Sequence, residues 1–343
     1  MKFYRAGLIG CGNIGSRYDE GRKGVEVYTH AGLYNALGAF KLACASDINK
    51  DRLKEFSRYW KVSNLYEDYR QMLQREYLDV LSIATGDDTH SRIILDALRY
   101  RPPRIIFCEK PIAADSKTAE KVFMACLKQK VELVIDYVRR WDKNHQKIKE
   151  FIDRAKLGQI FSVTGYYVRG VRHNGCQMIN LIQFLFGQIN KVQAVGLPGK
   201  GSFHNDQSLN LRLITKNATE INMIALDRFK YNFSIFELDI FGTKGRIRLS
   251  DGGKTIEFNK VKRDNNFANF NKLFIAKSSW SKPTYGSAMT MAGECFISFL
   301  KGEISQLENN AAGSINDLRV IEAALHSAKM NNRIVKVCRQ KII

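Results

Sequence analysis

The chain has 343 residues, 45% of them hydrophobic and 11% aromatic, which suits two domains with full cores and excludes wholesale disorder. A net charge of +20 favours anionic small ligands, but the basic residues are scattered, with no long basic run and no aromatic-interleaved patch, which argues against nucleic acid as a partner. No apolar run reaches membrane length and no signal-peptide core follows Met1; seven cysteines without a Cys-x-x-Cys spacing point to reduced thiols in a cytoplasmic protein and to no metal site.

In chain order, Ala6–Ile9 reads as a short apolar strand, followed at once by Gly10-Cys11-Gly12-Asn13-Ile14-Gly15. This is the G-x-G-x-x-G spacing: one glycine for the tight turn, one for close approach of a pyrophosphate, one for packing strand on helix. Gly21 and Gly24 predict that the first crossover is interrupted by a loop before a helix over Thr29–Leu37. A second strand, Lys41–Ser46, ends in Asp47. Asp47 suits the adenosine ribose hydroxyls and would repel a 2′-phosphate, favouring NAD with NADP still possible; it equally suits capping the helix over Asn49–Tyr59. Arg52 would soften a preference for NAD. Further strands are predicted at Lys61–Leu65, Asp79–Ala84, Ile105–Cys108 and Glu132–Ile135, with helices at Tyr66–Arg75, Ser91–Tyr100 and Ser116–Lys128 between them. This alternation predicts a Rossmann doubly wound parallel sheet over residues 1–136, with Glu109-Lys110-Pro111 at the carboxyl edge of a buried strand, where open α/β sheets bind ligands.

After Asp136–Trp141 the pattern changes. A basic helix, Asp142–Ala155, leads to strands at Ile160–Arg169, Lys191–Val195, Ser208–Thr215, Glu220–Leu226, Phe233–Phe241 and Ile247–Leu249. A helix over Met178–Phe186 interrupts them, and helices over Ser287–Lys301 and Gly313–Ala328 with a strand near Ile334 close the chain. Residues 137–343 are thus expected to form an α+β domain with an open, mainly antiparallel sheet for substrate and oligomerisation.

Together, Gly10–Gly15, Ala84-Thr85 through His90, Cys108-Glu109-Lys110-Pro111, Arg139-Arg140-Trp141, His173-Asn174-Gly175 and Phe241-Gly242-Thr243-Lys244-Gly245 resemble the Gfo/Idh/MocA oxidoreductases, over essentially the whole chain. The resemblance implies hydride transfer between a nicotinamide and a hydroxyl of a sugar, cyclitol or sugar nucleotide, in a subgroup often encoded with surface-sugar genes. It implies a homodimer or homotetramer. The family's lysine falls on Lys110, with Glu109 positioning it or meeting the nicotinamide. Thr85 and His90 fall on the loop over the cofactor, although His90 also reads as a helix-start histidine held by local hydrogen bonds. The family's substrate-facing His and Asp are replaced by Gln177 and Asn180, amides that bind hydroxyls but exchange no proton near neutrality. Proton transfer then falls to Lys110 with His173, Tyr137 or Tyr167, among substrate contacts that include Arg140 and Trp141, unless the chain has lost catalysis and binds dinucleotide or sugar nucleotide as a sensor or partner subunit. His173 reads equally as a structural histidine of its turn.

Overall fold

The computed structural model describes residues 3–22, 26–200, 206–226, 235–267, 269–275 and 285–338. The chain divides into two compact units, residues 1–142 with 286–315 and residues 143–285 with 316–343.

The first unit is built on six strands: β1 (Tyr4–Ile9), β2 (Phe40–Ser46), β3 (Asn64–Tyr66), β4 (Val80–Ile83), β5 (Ile105–Cys108) and β6 (Glu132–Ile135). All pair in parallel, in the order β3-β2-β1-β4-β5-β6, with the reversal of order at β1/β4. β4 and β5 are buried along their whole length, as expected of strands covered on both faces. The helices are α1 (His30–Ala36), α2 (Lys50–Trp60), α3 (Tyr69–Arg75), α4 (His90–Tyr100) and α5 (Ser116–Lys128). Their apolar residues recur on one face, as with Ala119, Val122, Phe123 and Cys126 of α5, and polar caps hold their starts: Thr29 accepts from Gly32 N–H, Asn49 from Asp51 and Arg52, Asp115 from Thr118.

The second unit holds α6 (Lys143–Asp153), β7 (Ile160–Tyr167), α7 (Cys176–Phe186), β8 (Ile189–Lys200), β9 (Gln207–Thr215), β10 (Glu220–Ala225), β11 (Phe236–Gly242), β12 (Gly245–Ser250), β13 (Thr255–Arg263) and β14 (Asn271–Ile275). It ends with β15 (Val335–Lys336). These strands form one nine-stranded sheet in the order β14-β13-β12-β11-β7-β10-β9-β8-β15, antiparallel except between β7 and β10. Its inward residues alternate along β7, β9 and β11 and meet Met178, Ile179 and Ile182 of α7 and Val320, Ile321 and Ala324 further on. The apolar face of the sheet is thus closed by helices on one side.

The observed units depart from the continuous division at residue 136. The helix α8 (Ala288–Lys301), expected in the second domain, belongs to the first unit: Met289, Ala292 and Phe296 join Phe107, Leu33, Tyr34 and Trp141 in one core, with Phe296 edge-on to Phe107 at 5.1 Å between ring centroids. Arg104 donates to the Leu300 carbonyl at 2.8 Å. No local pattern marks such a return, because an apolar stripe does not say which sheet it covers. β13 and β14 were not expected, since lysines and arginines break up their few apolar positions. The expected start of β11 at Phe233 lies outside the described residues. Helix α9 (Ala311–Lys329) places Asp317 in the second unit, buried, where it accepts the amides of Asn180 and Gln183 at 2.6 Å each. Asp317→Ala leaves both buried donors without this acceptor, and denaturant unfolding is expected to show a loss of about 2–3 kcal/mol.

Candidate active site

The glycine turn has the shape that its spacing predicts. Gly10 has φ +95°, and a Cβ there would press on the Ala84 carbonyl; a Cβ on Gly15 would collide with the Gly10 carbonyl oxygen. At Gly12 a Cβ would meet nothing within 4 Å, so this position is open towards a ligand rather than required by the fold. The turn after Gly15 is a short 3-10 stretch, Arg17–Asp19, in place of a regular helix, and α1 starts only at His30, as the interrupted crossover predicts.

Two side chains from the β2–α2 corner fix the turn. Asp47 accepts the Cys11 N–H at 2.8 Å and the Asn49 N–H at 2.9 Å; the cap of α2 is Asn49, not Asp47. Arg52, 4% exposed, donates to the Cys11 carbonyl, the Ser16 hydroxyl, and the carboxylates of Glu20 and Glu55. Burial works to raise the Glu20 carboxyl, but hydrogen bonds from Arg52 and Ser16 outweigh it and hold it below its ordinary value. A guanidinium so enclosed does not meet a 2′-phosphate, which corrects the expectation that Arg52 softens a preference for NAD. Ile48 beside it is 92% exposed and borders a cavity of about 720 Å³ with Leu53, Leu65 and Tyr66.

At the other strand ends, Thr85 pairs with Thr89 at 2.6 Å on the β4–α4 loop. His90 is fully buried, with Nδ1 2.7 Å from the Pro111 carbonyl and Nε2 3.1 Å from the Thr85 carbonyl. It fastens the loop to the turn after β5 and presents neither ring nitrogen outward, which corrects its assignment as a cofactor contact. Glu109 and Lys110 stand half-buried at the end of β5. Glu109 meets His30 at 3.4 Å, and His30 Nε2 lies 3.9 Å from Asp136 at the end of β6. His30 Nδ1 lies 2.8 Å from the Ser82 hydroxyl, itself 2.7 Å from the Tyr34 hydroxyl. His30, Glu109 and Asp136 bring three possible metal-ligand atoms within 4.8 Å of one another, the one such group among the described residues. Burial raises both carboxyls of this group; for Glu109 the His30 hydrogen bond, with the charges of His30, Lys110 and His90, overcomes it and lowers the carboxyl, whereas Asp136, with Glu109 beside it, is driven well up.

Sequence reasoning missed His30, Ser82, Tyr34 and Asp136. His30 follows the N-cap of a short helix and Asp136 sits at a strand end, so only the parallel order of β1, β4, β5 and β6 brings them together. The usable signal was Asp136 itself, a carboxylate at the carboxyl end of a buried strand.

In the second unit the expected site residues divide. Tyr167 is fully buried; its hydroxyl donates to the Leu209 carbonyl at 2.8 Å and accepts the Leu209 N–H at 3.0 Å, and burial pushes its ionisation upward. Asn180 is 3% exposed and committed to Asp317. Neither is a proton donor to substrate. His173 and Gln177 are half-buried, on the Val171–Gly175 turn and the first turn of α7; the N–H groups of Arg172 and His173 are held by Asp206 at 3.0 Å each. Trp141, expected to touch substrate, lies 1% exposed in the core of the first unit with Phe296, while Arg140 precedes it on the Val138–Arg140 turn. Tyr137 is likewise buried.

Residues 4–137 match an oxidoreductase family with an NAD-binding Rossmann fold, the Gfo/Idh/MocA family. The match takes in the sheet of the first unit, less than half of the chain, and describes an NAD-binding fold there. Myo-inositol 2-dehydrogenase of Thermotoga maritima is 26% identical over 155 residues, 45% of this chain and 42% of that enzyme, less than half its length. Inositol 2-dehydrogenase of Salmonella typhimurium is 23% identical over 260 residues, 71% of this chain and 73% of the enzyme. Among solved structures, levoglucosan dehydrogenase with NADH and L-sorbose superposes with a TM-score of 0.80 at 16% identity, covering 99% of this chain and 100% of that one. The WlbA dehydrogenase of Bordetella pertussis, solved with NADH and UDP-GlcNAcA, gives 0.77 at 16% identity over the same shares. At these identities the two structures speak for the fold.

Tyr167→Phe is expected to cost about 1–2 kcal/mol of stability, read by denaturant unfolding, and to leave NAD affinity unchanged. Arg52→Ala breaks the buried pair with Glu20 and frees the glycine turn; a loss of about 3 kcal/mol is expected, with weaker NAD binding by calorimetric titration.

Proposed function

We propose that the protein is an NAD-dependent oxidoreductase that moves a hydride to or from a hydroxyl-bearing carbon of a sugar, cyclitol or sugar nucleotide, in the metabolism of carbohydrates such as surface polysaccharides. The observation that carries the reading is the conjunction, at one sheet edge, of an open Gly12, Asp47 at the end of β2 against the glycine turn, and the Glu109–Lys110 pair at the end of β5. The activities of the relatives, two inositol 2-dehydrogenases and a levoglucosan dehydrogenase, agree with it.

In this reading Gly10–Gly15 receives the pyrophosphate, Asp47 the adenosine ribose and Ile48 the apolar adenine face, with Thr85 and Glu109 towards the nicotinamide. Bound NAD supplies the hydride acceptor. Lys110 holds the reacting hydroxyl and takes its proton at Nζ. Arg140 orients the sugar, and the surplus of positive charge suits phosphorylated or nucleotide-linked substrates.

A second reading, a binding subunit without catalysis, is favoured by Gln177 and by the commitment of Asn180 to Asp317. Turnover separates the two. Wild-type protein with NAD⁺ and a panel of cyclitols, aldoses and nucleotide sugars is expected to raise the absorbance of reduced nicotinamide. Lys110→Met is expected to lower kcat/KM by about a thousandfold while leaving the NAD Kd nearly unchanged. Binding of NAD with no turnover on any member of the panel would favour the second reading. Gly12→Val is expected to keep the wild-type Tm, since a Cβ there meets no protein atom within 4 Å, and to abolish NAD binding.

A further inference from the structure

Resting on the oxidoreductase reading, we propose that Glu109 and Asp136 act as one carboxyl pair holding a single proton, oriented by His30, and that this pair is the proton-carrying partner of Lys110 in place of the histidine that Gln177 replaces.

The geometry comes first. Asp136 is 7% exposed and His30 fully buried, while the Glu109 side chain is 13% exposed and forms the open end of the group. Two ionised carboxylates cannot share so enclosed a space at modest cost, so one keeps a proton. Which one follows from the surrounding donors. The direction of the hydrogen-bond chain that gives the Tyr34 hydroxyl an acceptor runs from Tyr34 O–H to Ser82, Ser82 O–H to His30 Nδ1, and His30 Nε2–H to Glu109. Glu109 is then the carboxylate that accepts, and Asp136 the acid. Asp136 Oδ1 is buried without a hydrogen-bond partner, so an ionised Asp136 would leave charge there uncompensated. The opposed shifts of the two carboxyls agree with this order.

The charged and titratable groups facing the pair are His30 and Tyr34 from α1, His90 from α4, and Cys108 and Lys110 from β5 and its end. The charge of Lys110 acts on both carboxyls. In the oxidation direction the substrate O–H bond breaks and its proton passes to the Lys110 amine, while the C–H electron pair leaves as hydride to oxidised nicotinamide. The ammonium then passes a proton to the pair, and the pair releases one to solvent at Glu109. Reduction reverses each step.

The linkage has a definite sign. Asp136 holds its proton more tightly folded than unfolded, so the stability it contributes is present below the ordinary carboxylate range and is lost as pH rises towards its raised value. Glu109 acts oppositely and loses its contribution as pH falls.

The test is infrared difference spectroscopy of the full chain at neutral pH, with elemental analysis of the same sample. A protonated-carboxyl stretch is expected in wild type, absent from Asp136→Asn, with the decline of Tm at rising pH flattened in that variant. Where the variant fails to fold, the wild-type band alone, titrated upward in pH, answers the question. For turnover, Asp136→Asn is expected to lower kcat/KM by about a hundredfold and to remove one limb of its pH profile. Turnover with no such band overturns the pair and spares the oxidoreductase reading. The band with no turnover by wild type overturns that reading and the relay with it. One equivalent of a divalent metal, lost in Asp136→Asn, overturns the shared proton and makes the group a metal site.

Discussion

One buried guanidinium holds the nucleotide edge in shape. Arg52 reaches from α2 across β2 to the carbonyl of Cys11 and the hydroxyl of Ser16, and its charge is balanced by Glu20 and Glu55. A glycine-rich turn loses more entropy on ordering than any other, so it keeps one form only where outside groups specify it. Asp47 completes the arrangement by accepting the Cys11 N–H. In the proposed reading the same two residues also set selectivity, Asp47 by receiving the ribose and Arg52 because its charge is already spent on Glu20 and Glu55.

The chemistry is arranged by the ends of β4, β5 and β6. A parallel strand buried on both faces can change from apolar to charged only where it leaves the sheet, so Glu109, Lys110 and Asp136 gather at one edge. Low dielectric there makes each charge depend on its neighbours. In the second unit, Tyr167 and Asn180 have been absorbed into the core, one by the Leu209 backbone and one by Asp317. In the proposed reading, acid–base duty therefore rests on Lys110.

The fold was legible because its signals are local. Alternating strands and helices, caps such as Asp115 and the turn at Gly10–Gly15 each specify their own structure, and the elements of the first unit were found within a few residues. What was illegible depends on tertiary pairing. Trp141 looked like a surface aromatic beside two arginines, yet the return of α8 buries it against Phe296. Arg52 looked like a free cation because its partners lie on a turn some forty residues away. His30 and Asp136 are 106 positions apart and meet only through the strand order. Tyr167, read from its type as a proton donor, has the alternation of an inward strand residue, which was the signal to weigh more heavily.

The most direct measurement is a calorimetric titration of the wild-type protein with NAD⁺ and with NADP⁺ under identical salt. Saturable binding of NAD⁺, with NADP⁺ at least tenfold weaker, is the result predicted by Asp47 on the ribose side and Arg52 enclosed. Equal or tighter binding of NADP⁺ would contradict that account of the edge, and binding of neither would contradict the site itself.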